Sequence, residues 1–217
     1  MTFYFGFATD DRFYLAADRR RIWKDPVEKV EDDNPKLHEV NTWTYLVGAG
    51  FMYFVDDVVA PQSPEAFGSR RIDTTRLAEA MPLMNEQLAG QHADVARQTT
   101  VGDPEKLFSQ FTVAGINASG MPFSCDWLST GGFQPPRVGG RHSLFLPRGD
   151  AKENTALRAM INELQRLAFQ KRSLEDLAAG AQQVLAWVAL RDESVSAAGD
   201  LVSIGPDGSK ELELPPT

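Results

Sequence analysis

The sequence predicts an α+β fold in which two antiparallel sheets pack between helical layers, and three observations predict it. Apolar runs come in pairs joined by turn residues at both ends of the chain and in its middle. Stretches with helical spacing interrupt those pairs, so the order is strands, helices, strands, helices, strands. Neither an internal repeat nor an interdomain linker breaks the series, and residues 1–217 read as a single domain.

The first pair is residues 3–8 and 13–17, aromatic-rich runs separated by Thr9, Asp10, Asp11 and Arg12, which read as a hairpin. A polar stretch, 19–35, comes next. Residues 36–50 then resume strand character, with Asn41 and Thr42 as the turn, and are expected to extend the first sheet. Residues 51–60 fit a short helix ended by Pro61 and Pro64. Asp73 is placed to cap a longer helix running to about Gln98, with a kink or later start at Pro82.

Residues 111–116 and 121–128 form the next hairpin around Asn117 to Gly120, and 142–146 add a strand beyond the Gly/Pro-rich loop 130–140. Leu157, Met160, Ile161, Leu164 and Leu167 recur at helical spacing within 150–170. Ser173 opens a capping signal for a second helix through Leu190, and both helices are expected to cover a sheet. Gly205, Pro206, Asp207 and Gly208 mark the turn of a final hairpin, 199–204 with 209–214.

Composition narrows the function classes. A formal net charge of -8 repels phosphate backbones and anionic lipid, so neither nucleic acid nor membrane is an expected partner. The one cysteine, Cys125, has no intramolecular partner, and the sequence carries no Cys/His cluster at metal-ligand spacing. A reducing compartment with no metal and no cofactor is the simplest expectation. With no basic leader before an apolar segment and no run of eighteen apolar residues, the chain reads as soluble and cytoplasmic.

Thr2 is the first residue with chemistry to offer. An N-terminal threonine joins a hydroxyl nucleophile to an α-amine that can act as its base, and the ordinary amine pKa of about 7.7 to 8.0 leaves part of it neutral near pH 7. The plain alternative is a threonine that opens a strand.

After Thr2, an aromatic strand and a hairpin lead to Leu15, Ala16, Ala17, Asp18, Arg19 and Arg20, small residues before Asp-Arg-Arg, with Asp18 sixteen positions after Thr2. This segment resembles the proteasome β-subunit family, a group of N-terminal-nucleophile hydrolases. The likeness continues at Lys36-Leu37 and through strand, turn and strand to Ala49-Gly50, although Lys36 stands two residues later than in the archaeal subunits. It is dense over 2–50 and looser over the last two helices and hairpin.

The resemblance implies a four-layer α/β/β/α sandwich and a threonine-type peptidase. Thr2, freed by removal of Met1, would be the nucleophile, Lys36 the cation that lowers proton affinity at the site, and Asp18 the carboxylate that positions Lys36. Gly50 would supply an oxyanion-hole N–H. Glu193 and Ser196 fit the family's acidic residue and the serine three positions later. Arg21, Gly48, Met52 and Asp56 fall at substrate-pocket positions, where Gly48 would leave a deep pocket; Asp56 near its base would favour a basic side chain, whereas Met52 and a solvated Asp56 would favour large apolar ones.

The resemblance also implies polypeptide substrates, a closed homo-oligomeric ring and an ATPase unfoldase as possible partner. Two departures stand against it. The Ser-Gly turn before the third long helix is replaced by Pro147, Arg148 and Gly149, and the nucleophile comes directly after Met1 without a propeptide.

Each residue has a plainer reading. Asp18 would pair with Arg19, Arg20 or Lys24 at the surface, Lys36 would be a solvated turn lysine, and Gly50 would serve a turn. Asp56 and Asp57 would lie on the exposed face of a helix, and Asp192 to Ser196 would be a solvated loop. Two other functions fit the same residues: an N-terminal-nucleophile amidohydrolase acting on a small amide, and a scaffold subunit that never frees Thr2.

Overall fold

The computed structural model describes residues 3–23, 29–50, 54–98, 107–130, 132–133, 142–144 and 151–216. The chain is a mixed α+β structure built on antiparallel sheets.

The first hairpin forms as expected: β1 (Tyr4–Ala8) pairs with β2 (Phe13–Asp18), and every residue of both strands is buried. Burial on both faces requires a layer above and a layer below. The free edge of β2 takes β10 (Gly199–Gly205), which carries β11 (Gly208–Leu214), while β1 takes β9 (His142–Leu144).

Residues 36–50 do not extend this sheet. Their strands β5 (Leu37–Asn41) and β6 (Thr44–Gly50) begin a second, four-stranded sheet with β7 (Ser109–Ile116) and β8 (Pro122–Leu128). The edge of β2 is already matched, residue for residue, by the apolar β10, from Gly199 opposite Asp18 to Ile204 opposite Phe13. Between the sheets the chain makes a small separate ladder, β3 (Arg21–Trp23) with β4 (Lys29–Glu31), inside the stretch that reads as merely polar in sequence.

Alternation along the strands divides the interior into three cores. Tyr4, Phe13, Leu15 and Val202 of the first sheet meet Leu37, Val47, Ala114 and Ile116 of the second. On the other face of the first sheet, Phe3, Phe5 and Phe7 pack on α3 (Ala151–Phe169) through Leu157, Ile161 and Leu164, and on α4 (Leu174–Ala189) through Leu177, Val184 and Leu185. The second sheet packs Leu46, Phe111, Val113 and Trp127 against Leu77 and Met81 of α2 (Thr74–Gln98) and against Val55 and Val59. Burying side chains of this size contributes about 1.5–3 kcal/mol each before the entropy of ordering them is counted.

The prolines act differently from the sequence expectation. A π-helical turn, Val55–Val59, runs straight into α1 (Ala60–Phe67), so Pro61 and Pro64 lie inside the helix. Pro61 stands at the junction of the π-helical turn and α1, where it can donate no backbone hydrogen bond. Pro64 lacks the N–H that would reach the Ala60 carbonyl, and the Ser63 hydroxyl donates to that carbonyl at 2.7 Å instead. Likewise α2 continues through Pro82, its start fixed by Asp73, whose carboxylate accepts from Thr75 N at 3.0 Å. Ser173 caps α4 as expected, accepting from Asp176 N at 3.1 Å. Among the described residues no helix is long and apolar enough to cross a membrane.

Candidate active site

The candidate site gathers where β2 ends. Asp18 is its last residue, 0% exposed, and its carboxylate is surrounded by donors. Oδ2 accepts from Phe3 N at 2.7 Å; Oδ1 accepts from Arg20 N at 2.8 Å, from Lys36 Nζ at 2.9 Å and from Ser196 N at 3.3 Å. Asp18 N in turn donates to the Phe3 carbonyl at 3.0 Å, so the first described residue of the chain is held to Asp18 from both sides.

Lys36, immediately before β5, is 1% exposed, which removes the reading of a solvated turn lysine. Its ammonium also donates to the Arg20 carbonyl. Burial pushes the Lys36 pKa below the ordinary lysine range, opposed first by Asp18 and then by Asp56. Burial likewise pushes Asp18 up, opposed by the Lys36 charge and by the N–H groups of Phe3 and Arg20. The two ions therefore depend on each other, and the geometry binds their segments together.

Asp18 does not pair with the neighbouring arginines because each has another partner. Arg19 reaches Asp200 at 2.6 Å, Glu213 at 2.8 Å and Asp33 at 3.2 Å. Arg20 holds Asp32 at 2.6 Å and donates to the Glu193 carbonyl at 2.7 Å. Arg21 lies 3.4 Å from Asp56 and 3.7 Å from Asp57. Three successive arginines thus clamp three different parts of the chain around the Asp18–Lys36 pair. Lys24 lies outside the described residues.

The C-terminal pair divides. Ser196 is buried, its N–H on Asp18 and its Oγ accepting from Ala198 N at 3.0 Å. Glu193 carries an exposed side chain and joins the site through its backbone carbonyl.

The glycines have stringent environments. Gly50 ends β6 at φ +92°, and a Cβ there would lie 2.2 Å from the Phe108 carbonyl oxygen. That geometry meets the turn reading of Gly50. At Gly48 a Cβ would lie 2.2 Å from Val55 Cγ1. The room left by its missing side chain is filled by Val55, which corrects the expectation of a deep pocket at this position.

Asp56 is corrected as well. It is not on an exposed helix face: its side chain is 9% exposed, and both oxygens are engaged, Oδ1 with His38 Nε2 at 3.1 Å and Oδ2 with Arg21 Nη1 at 3.4 Å. A carboxylate already paired with a guanidinium is poorly matched to a basic substrate side chain. The π-helical turn, one residue wider than an α-turn, carries Asp56 to these partners.

Thr2 and Met52 lie outside the described residues, as do Pro147, Arg148 and Gly149. Sequence reasoning missed His38 and the backbone of Phe3 and Arg20. His38 had a signal, its two-residue spacing from Lys36 along a strand; the backbone groups had none. Among the described residues no cluster of His, Cys, Asp or Glu is arranged to hold a metal ion.

Neither the protein-family models nor the curated proteins with which the chain was compared match it.

Proposed function

We propose that this chain is a threonine-type peptidase subunit of the proteasome β-subunit kind, acting through Thr2 after Met1 is removed, with the four-layer sandwich of an N-terminal-nucleophile hydrolase. The observation that carries the reading is the buried Asp18–Lys36 pair with Phe3 N on the same carboxylate. Thr2 is joined to that nitrogen by one peptide bond, and a trans peptide keeps consecutive Cα atoms about 3.8 Å apart. In this reading the nucleophile is the chain neighbour of a residue held on the carboxylate that also holds Lys36, although four strands separate Thr2 from Lys36 in sequence.

An ammonium has three N–H bonds, and among the described residues Asp18 and the Arg20 carbonyl take two from Lys36. The reading assigns the third to the nucleophile's oxygen. In the acyl transfer, the Thr2 hydroxyl oxygen bonds to the substrate carbonyl carbon and its proton passes to the α-amine. That proton then goes to the leaving amine as the peptide bond breaks, and water hydrolyses the ester to free Thr2. Lys36 favours the alkoxide and the neutral amine through its positive charge, and Asp18 and the Ser196 N–H hold the arrangement.

Polypeptide substrates, a closed homo-oligomer that sequesters the sites and a cytoplasmic setting belong to the same proposal, with an ATPase unfoldase as the partner class. Hydrolysis of fluorogenic peptides ending in basic, acidic and large apolar residues tests it. Turnover that disappears in Thr2→Ala supports the peptidase; turnover of small amides alone would favour the amidohydrolase; none on either class would favour the scaffold.

A further inference from the structure

The residues of the proposed site come from both sheets. Asp18 ends β2 and Ser196 stands just before β10, whereas Lys36 precedes β5 and Gly50 ends β6. Their spacing therefore depends on how the two sheets sit face to face. The layer between the sheets is built mainly from apolar side chains such as Leu15, Ala17, Val47 and Ala114, and apolar contact is non-directional. A polar chain crosses that layer at the start of β1. Tyr4 OH lies 2.8 Å from Thr112 Oγ1, and both residues are 0% exposed. Thr112 stands opposite Asp126 in the β7–β8 ladder, and its hydroxyl donates to Asp126 Oδ1 at 2.5 Å. A hydroxyl has one proton to give. With that of Thr112 on the carboxylate, the Tyr4 hydroxyl is the donor to Thr112, and the chain runs in one direction from β1 to β8.

We propose that Tyr4 is a positioning residue: through Thr112 and Asp126 it fixes the start of β1 against the second sheet, and with it the nucleophile against Lys36 and Gly50. Tyr4 follows Phe3, whose N–H is on Asp18, and comes two residues after Thr2 in sequence. A hydrogen bond is directional where apolar contact is not, so this chain sets a register that the surrounding side chains leave free. The inference rests on the peptidase reading for its effect on turnover, and on the hydrogen bonds alone for its effect on the start of β1. Tyr45 supplies the comparison. It too reaches across the layer, from β6 to β11, with its hydroxyl 3.4 Å from Ser209 Oγ. It stands five residues before Gly50, about 17 Å away along an extended strand.

The test compares Tyr4→Phe, Thr112→Val and Thr112→Ser with Tyr45→Phe in the full chain, reading hydrogen exchange of the Phe3 amide by NMR together with kcat and KM on a fluorogenic peptide. In Tyr4→Phe, and independently in Thr112→Val should Tyr4→Phe fail to fold, Phe3 exchange is expected to quicken about tenfold. In the same variants kcat falls about tenfold while KM stays within about twofold. Thr112→Ser, which keeps the hydroxyl, returns both readings toward the parent, and Tyr45→Phe moves neither by more than about twofold. The variant with both Tyr4→Phe and Thr112→Val is no slower than the slower single, since the two act through one chain of hydrogen bonds. Phe3 exchange unmoved in the folded Tyr4 and Thr112 variants, or moved as far by Tyr45→Phe, overturns the proposal. Quickened exchange with kcat unchanged in an active enzyme overturns it as well. A parent chain that hydrolyses no peptide removes the peptidase reading instead, and Phe3 exchange then decides alone whether Tyr4 holds the start of β1.

Discussion

Lys36 Nζ lies 2.9 Å from Asp18 Oδ1, with 1% of one side chain and none of the other open to solvent. Removing one member of such a pair leaves an uncompensated buried charge, whereas removing both does not. Lys36→Met and Asp18→Asn are each expected to cost about 3–5 kcal/mol, and the double variant less than the sum. Urea unfolding of the four proteins checks this; strictly additive losses would mean that the pair does not act as a unit.

Val55 fills the space above Gly48, so Gly48→Ala is expected to destabilise by about 1–3 kcal/mol through overpacking. Val55→Ala vacates that space and should offset much of the loss in the double variant. Thermal melts of the two singles and the double decide it: an unaffected Gly48→Ala protein would show an open pocket there.

His92 of α2 is 4% exposed, its Nε2 3.2 Å from Ser109 Oγ and its ring edge-on to Phe54 and Phe133. Burial pushes its pKa below the ordinary 6.5. The folded state therefore binds the proton less readily than the unfolded one, so this contribution to stability is whole above about pH 6.5 and falls as acid protonates the unfolded imidazole. In His92→Gln the fall in melting temperature between about pH 6.5 and 5 should be shallower than in the parent. Parallel curves would remove His92 from the account.

The paired runs around Thr9 to Arg12, Asn117 to Gly120 and Pro206 to Asp207 were legible because turn chemistry and alternation are local. So were the caps at Asp73 and Ser173. The partner of β2 was not, since the choice between β5 and the distant β10 is made by pairing across some 180 residues. The same limit governed the site. Asp18 and Lys36 stood out as residue types at a spacing, but the Phe3 and Ser196 N–H groups that satisfy Asp18 are backbone, present at every position and informative only once the chain has folded. Asp56 was legible as a charge, not as a charge already held by Arg21 and His38.

Thr2→Ala removes one hydroxyl and no large packing group. It is expected to abolish peptide hydrolysis while leaving the melting temperature and the oligomeric state as in the parent. Sedimentation and a peptide assay on the same preparation check both halves; retained turnover would move the nucleophile elsewhere.

The central claim, a free Thr2 that acts as nucleophile, is tested most directly by intact mass before and after treatment with a threonine-directed epoxyketone or β-lactone, with fragmentation to place the added mass. The account predicts a chain lacking Met1 that gains one label, on Thr2. A chain that retains Met1 and takes up no label would contradict it.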